Sequence, residues 1–299
     1  MLRFQPTYKA APWGGRAIAE QFSRQGVPDG PVGESWELAS FGDYDSRVQR
    51  GAHEGKLLSE LWSTGILGGS ATGPFPFLLK WINATDFLSV QVHPDEATCA
   101  ELGEGEPKSE AWLIVDRDAD SVILAGHYPG LDGQTLKLAA DGGTVRKWLY
   151  ELRPRVGEMI PIEPGTVHSI GPGYLLLEVQ QPSTTTYRIY DWGRMGLDGN
   201  PRELHLDRAI SSISFDRSGP PKTRRDQVNG PCFSMRSLPP GTRTDADALR
   251  VFVADSVDVT LSYGTATESL TFGDVAVAER ADGPVTVTDG NCILVTEPG

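Results

Sequence analysis

Short apolar stretches, some continuous and some alternating, predict many β-strands and few helices. The run 77–82 is almost wholly apolar, as in a strand buried on both faces, and 88–93 alternates like a half-buried strand. Further strand patterns lie at 111–124, 159–162, 174–180 and 185–190. Short helices are predicted at 17–22, 57–62, 134–140 and 144–151. The sequence therefore predicts a mainly β fold with a few short helices.

The pattern changes near residue 215 and predicts two structural units. Residues 216–225 are polar, charged and rich in proline, and we expect a linker at 216–230. The stretch 231–299 contains short β-rich runs separated by glycine-containing turns, and it holds no histidine, since the last one is His205. We therefore expect a larger unit at 1–215 and a small all-β domain at 231–299.

Net charge, cysteine content and the length of the apolar runs indicate which binding partners and which cell compartment to expect. A formal net charge of −13 over 299 residues repels nucleic acid and anionic membranes, so a site for an anion has to be locally basic. The three cysteines form no C-x-x-C pair, which favours a reducing compartment. No apolar run reaches the ~18–20 residues that span a bilayer, and residues 1–21 lack a signal-peptide core. We expect a cytoplasmic protein that binds neither nucleic acid nor membrane.

Three polar positions within predicted strands are candidate metal ligands. Gln91 and His93 are two residues apart and so share one face of their strand, opposite a pair of valines. That face meets either solvent or a polar cavity, and a histidine in this pattern alone is more often a surface or hydrogen-bonded residue than a ligand. Glu110 enters an apolar run, where a carboxylate is costly unless it is paired or bound to a metal. A simple Lys108–Glu110 ion pair at an exposed strand end is the alternative at this stage.

His168 follows a Pro-Gly turn at 164–165 that fixes where the chain returns to the sheet. Two histidines, a carboxylate and an amide oxygen form a mixed nitrogen and oxygen set. Such a set suits Zn²⁺, with Fe²⁺ and Mn²⁺ as rivals, and it leaves positions open for a substrate.

Several motifs resemble type I mannose-6-phosphate isomerases and occur in that family's order. They lie at 12–15, 33–37, 88–95, 108–110, 164–170, 175–181 and 185–191. The resemblance covers roughly residues 8 to 215, and the chain is similar in length to the short bacterial branch.

The resemblance implies a cupin, a small jelly-roll β-barrel, at 1–215 as the catalytic metal-binding domain. The domain at 231–299 would then be a degenerate cupin-like unit that supports packing. The resemblance also implies one zinc ion per chain and a lined substrate pocket. The implied metal ligands are Gln91, His93, Glu110 and His168, and the implied pocket residues are Lys108, Glu178 and Arg188.

The implied reaction interconverts mannose 6-phosphate and fructose 6-phosphate by proton transfer through a cis-enediol, in a protein expected to be monomeric. Arg188, Glu178 and Lys108 are the candidate catalytic residues. Glu178 is the candidate base, although the sequence does not separate it from Lys108 or a bound water, and alternatively Glu178 orients Arg188 or a metal ligand. Arg188 would stabilise the enediolate or hold the phosphate. Lys108 and Ser109 would bind phosphate or sugar hydroxyls. The sequence does not separate mannose 6-phosphate from glucose, talose or allose 6-phosphate.

Departures from the family pattern keep other interpretations open. Pro107, Glu163 and the stretch 192–194 differ from the usual residues, and they affect loop shape and substrate preference more than metal binding. Two histidines and a glutamate also ligate iron in non-haem oxygenases, although such a triad needs no amide ligand and Gln91 argues against it. A non-catalytic, sugar-sensing metal cupin is the second alternative.

Overall fold

A computed structural model describes residues 1–22 and 24–298. Of its first fifteen strands, eleven form the two sheets around which the N-terminal part is built. The fifteen are β1 (Arg3–Phe4), β2 (Thr7–Gly15), β3 (Val32–Leu38), β4 (Ser40–Phe41), β5 (Tyr44–Asp45), β6 (Val48–Arg50), β7 (Leu78–Ala84), β8 (Val90–Val92), β9 (Glu110–Arg117), β10 (Ile123–His127), β11 (Leu149–Leu152), β12 (Met159–Ile162), β13 (His168–Ile170), β14 (Tyr174–Gln180) and β15 (Tyr187–Tyr190). Strands β1 with β6 and β4 with β5 form two small two-stranded sheets.

The C-terminal strands form a separate pair of sheets. They are β16 (Gln227–Asn229), β17 (Ser234–Leu238), β18 (Val251–Val253), β19 (Val259–Tyr263), β20 (Ala266–Leu270), β21 (Val275–Val277), β22 (Val285–Asp289) and β23 (Cys292–Thr296). The helices are short, in line with the sequence pattern. They are α1 (Ala17–Gln21), α2 (Leu58–Ser63), α3 (Glu96–Leu102), α4 (Gly133–Asp141) and α5 (Leu206–Ser212), with 3₁₀ turns at Val145–Trp148 and Arg280–Asp282.

Two antiparallel sheets face each other in the N-terminal part. One has the order β11-β10-β13-β8-β15 and the other the order β12-β9-β14-β7-β2-β3. The chain from β7 to β15 crosses repeatedly between them, as in a jelly roll. Their inner faces share one apolar cluster, in which Ile123 and Ile170 of one sheet pack with Trp112 and Leu176 of the other. The sheets thus form a sandwich whose interior can hold a site.

The sheet that contains β7 is buried on both faces, which explains the apolar run at 77–82. Every residue of β7 and of β14 is buried. Their inward residues join the cluster between the sheets, and their outward residues pack against the C-terminal strands. In that second contact Trp81 and Leu177 share a cluster with Phe233 and Val251. The C-terminal strands therefore cover the back of the sheet.

The outer face of the other sheet is covered by helices. Val90 and Ile189 pack there with Leu136 of α4 and Ala209 of α5. The alternation at 88–93 follows from this arrangement, because the valines of β8 face the helices and its polar residues face the interior. One predicted element differs in the structure. Residues 149–151, the end of the helix expected at 144–151, belong to strand β11, because they pair with β10 at the edge of the sheet.

The segment predicted as a linker makes ordered contacts. Arg224 forms an isolated antiparallel β-bridge with Met159, and β16 pairs with β17. The division into domains at 1–215 and 231–299 with a linker at 216–230 remains a prediction. In the described part of the chain, no helix is both long and apolar enough to cross a membrane.

We expect Trp81 to be a principal point of contact between the two parts. Its ring lies 6.5 Å from that of Phe272, and its indole nitrogen donates to the carbonyl oxygen of Gly273 at 3.2 Å. Trp81→Ala should lower the free energy of unfolding by about 3–5 kcal/mol, because it leaves a cavity in a packed core. Urea denaturation monitored by circular dichroism measures this change.

Leu138, which is 68% exposed, provides the control. Leu138→Ala should change the free energy of unfolding by no more than about 0.5 kcal/mol. A cost below about 1 kcal/mol for Trp81→Ala would contradict the packing described for the back of the sheet.

Candidate functional site

Strand register in the first sheet aligns three of the predicted site residues. Arg188 of β15 lies opposite Gln91 of β8, which in turn lies opposite His168 of β13. Residues directly opposite each other in an antiparallel pair point to the same side of the sheet. The row therefore projects an arginine, an amide and an imidazole into the interior of the sandwich.

The facing sheet supplies carboxylates and lysine. Glu110 opens β9 and lies opposite Gln180 of β14, and Glu178, two residues earlier on β14, lies opposite Lys80 of β7. Lys108 precedes β9 and shares its inner side with Glu110. All of these side chains except that of Gln180 are linked by ion pairs. The two sheets thus bring opposite charges together in a buried space.

His93, Glu110 and His168 form the centre of the site. Their candidate ligand atoms all lie within 4.8 Å of one another, and each residue is about 1% exposed. Nε2 of His93 and Nε2 of His168 are each 3.3 Å from an oxygen of Glu110. Gln91 contacts the group through its amide nitrogen, 3.1 Å from Nε2 of His168. The set offers nitrogen and oxygen atoms at one point in the interior.

Backbone carbonyls fix the tautomers of both histidines. Nδ1 of His93 lies 2.9 Å from the carbonyl oxygen of Thr185, and Nδ1 of His168 lies 2.9 Å from that of Thr166. A carbonyl oxygen only accepts, so each Nδ1 donates its proton and each Nε2 carries a lone pair directed at Glu110. This is how histidines are oriented when Nε2 binds a metal.

The polar atoms at the centre lack ordinary partners. Neither carboxylate oxygen of Glu110 nor Nε2 of His93 has a hydrogen-bond partner within residues 1–22 and 24–298. Lys108 Nζ is 2.9 Å from Glu110 as an ion pair, without hydrogen-bonding geometry. Unpartnered buried polar atoms are destabilising, and a cation between them would satisfy all three. The residues therefore fit a metal ion.

Charge states at the centre also suit a cation. Burial, helped by the charge of Lys108, lowers the pKa of His93 to about 3, and burial lowers the pKa of His168. Burial alone would raise the pKa of Glu110, but Lys108 and His93 hold it well below its usual value. Two neutral imidazoles and an ionised carboxylate are the forms that bind divalent metals.

Glu178 lies in a different environment from Glu110. Its Oε2 accepts from the indole nitrogen of Trp112 at 2.9 Å, and its Oε1 is 3.1 Å from Lys80 Nζ and 4.0 Å from Lys108 Nζ. Burial, with the charge of Glu110, raises the pKa of Glu178 to about 6, against the opposing effect of the lysines. A carboxylate with such a pKa can accept and return a proton near neutral pH.

A cavity of about 250 Å³ lies beside the centre. His93, Glu110 and His168 are not among its lining residues, but Gln91 and Lys108 line it and contact His168 and Glu110, respectively. Its lining includes Gln91, Lys108, Glu178 and Arg188, all of which are site residues predicted from the sequence. Ser109, also predicted to contact substrate, is buried, its backbone N–H donates to the side chain of Gln181 at 2.8 Å, and it is not among the lining residues. Its side-chain role stays a prediction.

Other lining residues were not assigned a role from the sequence. Glu34 lies 3.5 Å from Lys80 Nζ, and Arg202 lies near Arg188 on the cavity wall. The sequence does contain an indication that Lys80 belongs to a site. It is the single charged residue in the apolar run 77–82, and a buried charge is costly unless it is paired. Arg202 had no such signal, since it lies in a polar stretch.

Two facing antiparallel sheets that enclose a buried His–Glu–His group define a cupin-like protein with a candidate metal site. The strand content of 37% against 14% helix confirms the predicted mainly β class. Comparison with known proteins narrows the class to a family.

A sequence model described as phosphomannose isomerase type I, catalytic domain, matches residues 1–112. Mannose-6-phosphate isomerase ManA of Bacillus subtilis (strain 168) is 38% identical over 215 residues, which are 71% of this chain and 67% of that protein. The crystal structure of the mannose 6-phosphate isomerase from Bacillus subtilis superposes with a TM-score of 0.86 at 27% identity, covering 100% of this chain and 99% of that one.

A structure of mannose 6-phosphate isomerase bound with zinc and yttrium has a TM-score of 0.73 at 16% identity, covering 100% of both chains, and shows the same fold. The chain belongs to the type I mannose-6-phosphate isomerase family, a family of aldose–ketose isomerases. The resemblance found in the sequence is thereby confirmed.

Loss of one histidine from the centre should abolish tight zinc binding. His168→Ala removes a nitrogen that faces Glu110, and we expect zinc affinity to fall by about 100-fold or more. Competition titration with a chromophoric chelator measures the affinity, and thermal unfolding checks that the variant is folded. His53→Ala is the matched control, because His53 lies away from the centre and pairs with Glu279. Unchanged affinity in His168→Ala would contradict the assignment of the centre.

Proposed function

We propose that this protein interconverts mannose 6-phosphate and fructose 6-phosphate in a zinc-dependent reaction. The reaction moves a proton between C2 and C1 of the sugar through a cis-enediol. Family membership supports the substrate, because the relatives carry the name mannose-6-phosphate isomerase. The cavity supports the chemistry, because Glu178, a carboxylate suited to proton transfer, lines it together with Gln91 and Lys108, which contact the buried candidate metal site directly behind its wall.

Gln91, His93, Glu110 and His168 would hold one Zn²⁺, and Gln91 would present its amide oxygen after a half-turn of the amide. Zinc suits two imidazole nitrogens with oxygen ligands, and it is named in the structure of a distant relative. When bound, the ion would supply Lewis-acid polarisation of the sugar oxygens at C1 and C2. The oxygenase alternative loses support, since the family consists of isomerases.

The observation that carries the proposal is the state of Glu178. This carboxylate is 2% exposed, its pKa is raised to about 6, and its Oε1 has no hydrogen-bond partner in the described chain. Trp112 holds the other oxygen in place. Glu178 would therefore take the proton from C2 of the aldose and return it to C1, with Lys80 and Lys108 stabilising its charged form.

Arg188 and Lys108 would assist as donors. Arg188 would stabilise negative charge that develops on the enediolate, since its Nε is buried and has no hydrogen-bond partner within the described residues. Lys108 would donate to a sugar hydroxyl from beside Glu110. Ser109 would contribute a substrate contact next to Lys108.

We propose different roles for the successive domains of the chain. Residues 1–215 would be the catalytic domain, because the residues that line the cavity all lie within that range. Residues 216–230 would link it to the domain at 231–299, which would support the back of the catalytic sheet. We propose a monomer that works in the cytoplasm on a small sugar phosphate.

Neutralising Glu178 should abolish isomerisation while leaving the site intact. Zinc-loaded protein is expected to form fructose 6-phosphate from mannose 6-phosphate, to lose this turnover with EDTA and to regain it with Zn²⁺. Glu178→Gln keeps the acceptor for Trp112 but removes the base, so kcat should fall by about 10²–10⁴-fold. Deuterium uptake at C2 from D₂O during the reverse reaction should fall equally.

Glu163→Gln is the matched control, because Glu163 is an exposed carboxylate paired with Arg217 outside the cavity. Its kcat should stay within about threefold of the parent's. A kcat for Glu178→Gln close to the parent value would remove Glu178 from the mechanism. Zinc binding without any turnover by the parent would favour the sugar-sensing alternative.

A further inference from the structure

Charge is distributed unevenly along the cavity. At its buried end, each lysine is already paired with a carboxylate. Lys80 Nζ lies 3.1 Å from Glu178, and Lys108 Nζ lies 2.9 Å from Glu110. With these pairs formed, the buried end has no excess positive charge from side chains for a phosphate dianion. It suits the uncharged carbonyl and hydroxyl end of a sugar.

The more exposed end of the cavity is positively charged. Arg188 and Arg202 both line it, together with the hydroxyl-bearing Thr184 and Thr186. Arg202 is 25% exposed, whereas Lys80 is 8% exposed, so the arginines lie nearer to solvent. The charge of Arg202 is close enough to lower the pKa of Arg188, after the larger effect of burial. The exposed end is the locally basic site that a chain of net charge −13 requires for an anion.

Asp191 holds Arg202 in place without neutralising this end. Arg202 donates to it twice, from Nε at 2.7 Å and from Nη2 at 2.5 Å. Asp191 also accepts from Arg194 at 2.7 Å, so its single charge is shared between two guanidinium groups. Within the described residues Arg188 forms no ion pair, and its buried Nε has no hydrogen-bond partner. Donors and positive charge are therefore left over at this end.

The loop that carries Arg202 is fixed at several points. Trp192 donates from its indole nitrogen to the carbonyl oxygen of Leu88 at 2.8 Å, and Arg194 donates to that of Phe87 at 2.5 Å. The loop closes on itself where the N–H of Gly196 donates to the carbonyl of Asn200 at 2.7 Å. A guanidinium on such a loop is pre-organised, so binding loses little conformational entropy. The stretch 192–194, which departs from the family pattern, thus builds the support for Arg202.

We propose that Arg202 binds the phosphate group of the sugar phosphate, with Asp191 as its positioning residue. This inference rests on the proposed function for the identity of the substrate. The phosphate would lie at the exposed end against Arg202, and the reacting carbons would lie at the buried end beside Glu178. Arg188, which lies opposite Gln91 in the sheet, would remain between the two and face the enediolate. Asp191 occupies Nε and one N–H of Nη2, so the donors that Arg202 would offer to a phosphate dianion are Nη1 and the second N–H of Nη2, at the end of the guanidinium group.

Steady-state kinetics on zinc-loaded variants test the proposal. Arg202→Met should raise the KM for mannose 6-phosphate by about 10–100-fold and change kcat by less than about threefold, because the lost contact lies away from the reacting carbons. The inhibition constant of inorganic phosphate should rise by a similar factor. Arg202→Lys should recover part of the affinity, and Asp191→Asn should raise KM by a smaller factor. Arg225→Met, at an exposed arginine paired with Glu158, should match the parent.

Direct binding of mannose 6-phosphate by calorimetry separates this proposal from the proposed function. If the parent binds mannose 6-phosphate without turnover and folded Arg202→Met binds it at least tenfold more weakly, the phosphate site stands and the isomerase proposal fails. If the parent turns over and Arg202→Met keeps its KM and its phosphate inhibition constant, the isomerase proposal stands and the phosphate site is wrong. A parent that neither binds nor turns over mannose 6-phosphate overturns both.

Discussion

Burial of Glu110 between two facing sheets is the constraint on which the rest of the site depends. An ionised carboxylate that is 1% exposed and has no hydrogen-bond partner in the described chain is strongly destabilising unless cations surround it. Lys108 supplies one cation, and the lone pairs of His93 and His168 mark the place of another. The register of the strands places these groups at one point, and the apolar clusters around them exclude water.

The same low-dielectric interior gives two glutamates different tasks. Glu110 is held ionised by Lys108 and the histidines, whereas burial and the charge of Glu110 raise the pKa of Glu178 to about 6. One carboxylate is thereby suited to a metal and the other to a proton, which is how environment separates roles among chemically identical groups. The arginines make the more exposed end of the cavity positively charged, whereas the lysines at the buried end are neutralised by carboxylates. A sugar phosphate is likewise charged at one end and uncharged at the other.

Much of this arrangement could be predicted from the sequence, because burial leaves a clear pattern in it. The apolar run around Trp81 and the alternation around Gln91 record which faces of β7 and β8 are covered. Strand β11 was wrongly expected to be helical, because an edge strand is defined by its partner β10 and not by its own pattern. The position of Arg202 in the cavity could not be predicted from the sequence either, because it depends on the ion pair with Asp191 and on a loop closed by tertiary contacts.

Anomalous diffraction at the zinc absorption edge, from crystals grown with stoichiometric Zn²⁺, would show directly whether the buried Glu110 and its neighbours hold a metal ion. We expect one strong peak about 2.0–2.2 Å from Nε2 of His93, Nε2 of His168 and an oxygen of Glu110, with the side chain of Gln91 turned toward it. A peak bound elsewhere, or none in protein shown to retain its zinc, would contradict the claim that the buried carboxylate exists to hold a metal.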